Sequence, residues 1–406
     1  MPFAAALSEH PVTAHAVGEA AGAVLEALGE RPDLVTLFVT PPHAGALEDI
    51  AGALDELLHP LAAIGAVAEA VVGPHLEVEG TAAVSVFAAR TGPLLPVDLQ
   101  AVQAPDGELH LGGWPEGLAF DPQALVLLAD PASFPADGFL RWLGERHPGL
   151  PVVGGLAAAG QAGASRLAVG RQVRGAGAVG VLLGPGTEAR SVVSQGCRPF
   201  GQPVVVTRAE GNIIFELAGV PALQRLVMEA NESLSAADVD VLEHGGLHLG
   251  RVIDEHRPVF GRGDFLIRAV LGADRSNGAM AVGDVVPVGT TVQFHLRDAH
   301  TADEDLRAVL RGADADGALL FSCNGRGTRL FAKPHHDAAV VADQLGAVPL
   351  AGCFAAGELG PVGGTNFVHG LSASLLLLRD PRPQPSLMGA SLTGASPMGE
   401  GQPPRR

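Results

Sequence analysis

The chain has 406 residues, 47% of them hydrophobic, and a formal charge of −18. Its length allows two or three cores, and a mean hydropathy of +0.27 is that of a chain that folds as a globule. The acidic balance argues against a nucleic-acid surface, which needs clustered Lys and Arg to neutralise phosphates. Lys333 is the only lysine, which excludes a P-loop. The three cysteines, Cys197, Cys323 and Cys353, form no C-x-x-C pair, so neither a disulfide scaffold nor a thiolate zinc site is indicated. The first Arg or Lys is Arg31, and no apolar run reaches the roughly 18 residues of a membrane span. The expected location is the cytoplasm.

Residues 1–32 read as an Ala-rich lead with a helix between Ala14 and Leu28. A strand-turn-helix-strand unit then occupies 34–69: an apolar run at 34–39, a helical stretch at 47–58 and a second run at 64–69. The same order of parts recurs at 125–160 and, most legibly, at 317–360. Each copy is followed by a further apolar strand, at 82–88, 178–183 and 371–378. This self-similarity predicts duplicated α/β units of one architecture.

Between the second and third copies the pattern changes. Gly196–Gly201 reads as a turn-rich joint, and residues 203–217 as a hairpin around Ala209-Glu210-Gly211-Asn212. A helix is expected at 221–229, then strands at 264–271, 279–282, 284–288 and 291–297. The next helix, 303–311, is given Thr301 as its cap with Glu304 three residues on. The fold class is therefore α/β with mixed sheets: two related halves of repeated units, and an antiparallel hairpin region near 203–297. The expected domains are 33–200 and 201–378, with 379–406 a disordered tail rich in Pro, Gly and Ser.

Several motifs dissolve on inspection. Gly175-Ala176-Gly177-Ala178-Val179-Gly180 matches a dinucleotide fingerprint, but a strand rather than a helix is expected after it. His244 and His248 have metal-clamp spacing, but Gly245-Gly246 disfavours the helix that would align them. Asp314-Ala315-Asp316-Gly317 starts like a calcium loop whose closing glutamate position is Gly325. No metal and no cofactor is expected.

The third copy carries the candidate site. Its first strand breaks into Ser322-Cys323-Asn324-Gly325-Arg326-Gly327, and its helix is expected to start with Asp337 as cap. Asn324, Arg326 and nearby amides suit an anion or carboxylate. Cys323 beside Arg326 is a possible nucleophile, although no His is fixed next to it by spacing. The second strand ends at Gly352-Cys353-Phe354-Ala355-Ala356-Gly357-Glu358. In a parallel unit both strand ends meet at one rim. Arg326 and Glu358 then offer opposite charges suited to a zwitterion, Arg326 taking the carboxylate, bidentate where geometry allows, and Glu358 taking the ammonium.

These segments resemble the FIST family, whose name refers to F-box and intracellular signal transduction proteins. The resemblance runs from about Asp33 to Leu378 and is densest at 321–327 and 351–361, with further likeness at 207–212 and 284–289. At Gly154-Gly155-Leu156-Ala157-Ala158-Ala159-Gly160 this chain departs from the pattern, lacking the Cys and Glu expected there. The resemblance implies a FIST N plus FIST C module that binds a small ligand such as an amino acid and passes the signal to a partner protein. In other members an output domain is fused to it; so little lies outside the two halves here that a stand-alone module is expected. The ligand-binding residues are then Cys323, Asn324, Gly325, Arg326, Gly327, Gly352, Cys353, Phe354, Gly357, Glu358 and Asn366. The expectation is a non-enzymatic sensory protein without nucleic-acid or membrane partners. The alternative is an acyl-transfer or hydrolytic enzyme using Cys323.

The tail cannot bury enough apolar surface to offset the entropy of ordering it. Deletion of 381–406 should leave the melting temperature unchanged in a thermal melt; a fall of several degrees would mean that the tail docks on the body.

Overall fold

The computed structural model describes residues 2–157, 165–261 and 263–381. Most of the expected tail, and Ala158 to Gly160 of the second unit, lie outside the described residues.

The repeat is present three times. In the first unit, Leu34–Val39 pairs parallel with Ala62–Val67 and antiparallel with Val84–Ala89. In the second, Ala124–Ala129 pairs parallel with Val152–Leu156 and antiparallel with Ala178–Leu183. In the third, Gly317–Cys323 pairs parallel with Leu350–Ala355 and antiparallel with Ala373–Arg379. The connecting helices are Leu47–Leu58, Ala136–Arg146 and His336–Leu345. Most of these strands are apolar on both faces and buried on both, as expected of strands sandwiched between a helical layer and a shared core.

Each unit also sends a hairpin to another unit's sheet. The first unit's hairpin, Ala70–Gly73 with Leu76–Glu79, extends the third unit's sheet. The third unit's hairpin, Glu358–Val362 with Thr365–His369, extends the second unit's sheet. The second unit's hairpin, Leu167–Val169 with Gln172–Arg174, extends the first unit's sheet. The exchange is cyclic, so the three sheets form a closed body with pseudo-threefold order. Their inner faces share one core that includes Phe38, Phe87, Val126, Val153, Phe321 and Cys353. Their outer faces are covered separately by helices.

One glycine recurs in this framework. Gly65, Gly154 and Gly352 lie opposite Leu37, Leu127 and Leu320 on the parallel neighbour. A Cβ on any of them would run into the carbonyl oxygen of that leucine. The close approach of the two parallel strands therefore requires glycine in all three units.

Residues 198–296 form a separate antiparallel barrel, inserted in the third unit between its edge strand Glu188–Ser194 and the helix Ala299–Leu310. The long strand Arg198–Glu210 pairs with Thr291–Leu296 at one end and with Ile213–Leu217 at the other, closing the sheet. Phe200, Val206, Ile214, Leu249 and Phe294 fill its interior.

Four local expectations change. The N-terminal lead is part of the body: Phe3–Ser8 pairs with Val84–Ala89 before the helix Thr13–Leu28 begins. The helix expected at 303–311 starts earlier, at Ala299, because Asp298 rather than Thr301 is its cap and accepts the Thr301 amide. Residues 284–288 form no strand. Asp337 is not a cap: His335 holds that position in left-handed conformation, and Asp337 turns inward from the first turn.

Gly352→Ala should cost about 3 kcal/mol or more, since the new methyl meets backbone rather than a movable side chain. Gly22→Ala, on an open helix face, should instead stabilise by roughly 0.5–1 kcal/mol. Urea unfolding of the two variants reads both signs; a Gly352→Ala protein as stable as wild type would contradict the parallel register.

Candidate functional site

The end of the strand Gly317–Cys323 and the first turn of His336–Leu345 are locked by one buried ion pair. Arg326 is fully buried. Its Nε and Nη2 each donate to the Asp337 carboxylate at 2.7 Å, one to each oxygen. Ser322 Oγ donates to the same carboxylate at 2.7 Å, and His336 Nδ1 lies 2.9 Å from it. Phe331 stacks on His336 and lies under the guanidinium. Burial works against both charges, but the mutual attraction and hydrogen bonds hold the Asp337 carboxyl well below the usual range and raise Arg326.

Glu77, on the first unit's hairpin, accepts the Ala338 amide at 2.9 Å. Burial, then the Asp337 carboxylate, push its carboxyl up to about 8. The raised value favours the protonated form of Glu77 beside the Arg326–Asp337 pair. Nearby, Glu79 accepts the Thr328 amide and hydroxyl.

Beside this lock lies a second polar cluster. Glu358 is fully buried, and its Oε2 accepts the Ser372 amide at 3.1 Å and hydroxyl at 2.8 Å. Burial pushes Glu358 up to about 8 against those hydrogen bonds. Burial and then Glu358 push the neighbouring Cys323 thiol up to about 12. Arg297, at the exit of the barrel, donates from Nη2 to Gly325 O at 3.1 Å and lies within electrostatic reach of Cys197, Arg326, Cys323 and Glu358. Gly196, at the barrel's entrance, has a φ of 66°, and a Cβ there would lie 3.1 Å from Arg326 Nη1, a tight contact.

Six buried polar atoms of these residues and of Gln195, beside Gly196, have no hydrogen-bond partner among the described residues: Glu77 Oε2, on the far side of the ion pair, and five others, Gln195 Nε2, Arg297 Nε, Asn324 Oδ1, Arg326 Nη1 and Glu358 Oε1. Buried polar atoms are ordinarily paired. The position of Glu358 is equally unusual. In each exchanged hairpin one residue lies opposite the residue that follows the recurrent glycine: Val71 opposite Cys353, Leu167 opposite Ala66, and Glu358 opposite Gly155. Val71 and Leu167 are core apolar residues. Only the third unit's hairpin spends this position on a carboxyl.

The other sequence candidates have structural surroundings. Cys353 packs in the shared core, and Phe354 packs beneath the third unit's helices with its ring against Gly327. Gly357 O accepts the Leu156 amide, joining the second and third units. Asn366 is also spent on the second unit, accepting the Val152 amide and donating to Leu150 O. With two nitrogens of Arg326 committed to Asp337, a bidentate grip on a ligand carboxylate is not open to it. Sequence reasoning missed Glu77, Asp337 as an ion-pair partner, Gln195 and Arg297. Glu77 sits in Leu76–Glu79, whose polar-apolar alternation reads as an exposed face.

A cleft separates the barrel from the body, and neither of its two parts is lined by Gln195, Arg297, Asn324, Arg326 or Glu358. Its larger part is about 710 Å³, between Arg251, Arg268 and Asp284 of the barrel and Asp137, Arg141 and Phe367 of the body. A contiguous part of about 280 Å³ reaches His369, Gly370 and Leu371. Leu371 has a φ of 66° and packs on Gly325. Left-handed backbone costs a branched residue about 1–2 kcal/mol.

The FIST N domain matches residues 33–220 and the FIST C domain residues 220–361. The chain belongs to the FIST family. FIST domains are sensory signal-transduction domains. The chain is 43% identical to the uncharacterized protein Rv0628c of Mycobacterium tuberculosis over 388 residues, 94% of this chain and 100% of that protein. It is 42% identical to the uncharacterized protein Mb0898c of Mycobacterium bovis over 378 residues, 91% of this chain and 97% of that protein. No helix among the described residues is long and apolar enough to cross a membrane.

The ionisation of Glu358 sets a pH dependence. Its folded value of about 8 exceeds the ordinary 4.5, so between those limits the native state holds a proton that the unfolded chain releases. This contribution falls as pH rises from 4.5 and is fully lost above about 8. Glu358→Gln should flatten the decline in melting temperature across that window; an unchanged slope would show that Glu358 is ionised in the folded state. Asp337→Ala should cost about 3–5 kcal/mol, by leaving Arg326 buried without its counter-ion. Denaturant melts test it, and a loss below about 1 kcal/mol, the scale of an exposed pair, would contradict a buried one. Cys323 should react with iodoacetamide far more slowly than free cysteine at neutral pH.

Proposed function

We propose that this FIST protein is a small-molecule sensor of the cytoplasm whose ligand sits between Arg297 and Glu358, and that it acts through a protein partner. The observation that carries the reading is the group of five unpaired buried atoms around the barrel joint. Burying such atoms unpaired costs roughly 1–3 kcal/mol each, a cost that a ligand's own polar groups remove. Three of them are donors, two on guanidinium groups, and two belong to side-chain carbonyl or carboxyl groups. That combination suits an amino acid or a related zwitterion. Arg297 Nε and Arg326 Nη1 take the carboxylate; Glu358 and Asn324 take the ammonium.

An arriving ammonium draws the raised Glu358 carboxyl back toward its ordinary range, since a cation lowers a neighbouring carboxyl's value. Cys323 stays a thiol and packs beside the ligand. The strained Leu371 stands between the cleft and Gly325, the side from which a ligand enters. A nucleophilic role for Cys323 finds no support, because its neighbour is a carboxyl and its thiol is raised rather than lowered.

A thermal-shift screen with the proteinogenic amino acids and small metabolites tests the reading. A selective ligand at about 100 times its Kd stabilises by roughly 2.7 kcal/mol. Glu358→Ala should fold and lose the shift. A ligand whose shift survives that substitution binds elsewhere and contradicts the site.

A further inference from the structure

We propose that the barrel is the moving part of this sensor and that the ligand closes it onto the three-sheet body. The proposal rests on the ligand site described above.

The chain passes between body and barrel only at the two ends of residues 198–296. One crossing is Gln195-Gly196-Cys197, after the strand Glu188–Ser194; the other is Arg297-Asp298, before the helix Ala299–Leu310. The crossings lie side by side, with Arg297 in electrostatic reach of Cys197 and Arg198 3.9 Å from Asp298. Two adjacent crossings make a hinge, because rotation about them disturbs few residues. Asp305 anchors the body side of the entering crossing, accepting from Ser194 Oγ at 2.8 Å and the Gly196 amide at 3.0 Å.

Away from the hinge the barrel is held lightly. No barrel strand pairs with a body strand in a backbone ladder among the described residues. Much of the space between them is the cleft of about 710 Å³ with its extension of about 280 Å³. Arg268 crosses it, donating from Nη1 to Val368 O at 3.0 Å while its Nε pairs with Asp284 at 2.9 Å.

The unpaired atoms fall on both sides of the hinge. Arg297 is on the barrel side, following Thr291–Leu296 directly and donating its amide to Gly246 O; Gln195, flanked by Ser194 and Gly196 that Asp305 holds, and Asn324, Arg326 and Glu358 are on the body side. A ligand bound between Arg297 and Glu358 touches both sets only when the barrel is closed. It therefore binds the closed arrangement better than the open one, which is the condition for shifting a population. The segment 368–372 transmits the same event. Val368 receives Arg268, and Ser372 holds Glu358.

Amide exchange of the full chain, measured by mass spectrometry with each proteinogenic L-amino acid added singly, tests the coupling beside a thermal melt. At least one amino acid should raise the melting temperature and slow exchange at 264–272 and 365–371 about tenfold, an ordinary coupling. Arg297→Ala should lose both effects while keeping the wild-type circular dichroism; Arg297→Lys, which keeps the charge without Nε–H, serves if the alanine variant does not fold. A melting shift with unchanged exchange at both segments overturns the coupling and leaves the binding reading intact. No shift with any amino acid overturns both.

Discussion

The Arg326–Asp337 ion pair is the constraint on which the third unit depends. It joins the turn after one strand to the first turn of the following helix, and it does so with no exposure to water. A pair taken this far from water is expensive unless its remaining hydrogen bonds are met. Ser322 and His336 meet those of Asp337, and burial favours the protonated form of Glu77 beside them. Two atoms of this group remain unpaired among the described residues: Glu77 Oε2, and Arg326 Nη1, which faces Gly196 at the barrel joint. The pair therefore does more than hold a turn: it delivers a rigid, unpaired donor to the place where the barrel meets the body.

The pseudo-threefold body explains why polar chemistry concentrates in one unit. The three units share the same pairings and the same close approach of strand to glycine. At the end of their first strands stand Thr40, Asp130 and Cys323. Thr40 exchanges hydrogen bonds with Ala83, and Asp130 accepts from Ser133, so both are satisfied locally. Cys323 instead faces Glu358. The symmetric framework gives stability three times over. The third unit, with the barrel inserted in it, departs from the apolar pattern and gathers Arg297, Cys323, Arg326 and Glu358.

Much of this was legible in the sequence because it is written in local patterns. Apolar runs bounded by turns marked all three units and their later strands. The turn at 322–327 and the small-residue stretch before Glu358 marked the rim of the third. The hidden parts depend on distant pairing. The cyclic hairpin exchange brings Glu77 to Ala338 across 261 positions, and no local pattern signals that. Arg297 follows an ordinary strand, and only the barrel's closure returns it to Gly325. Asp337 looked like a cap because Asp at a helix start usually is one; the buried arginine eleven residues earlier outweighed that preference.

The most direct test is a crystal structure of the protein grown with and without an amino acid that raises its melting temperature. The account predicts ligand density bridging Arg297 and Glu358, with Arg326 still held by Asp337. Ordered water alone satisfying the five unpaired atoms in both crystals, with the ligand seated elsewhere, would contradict it.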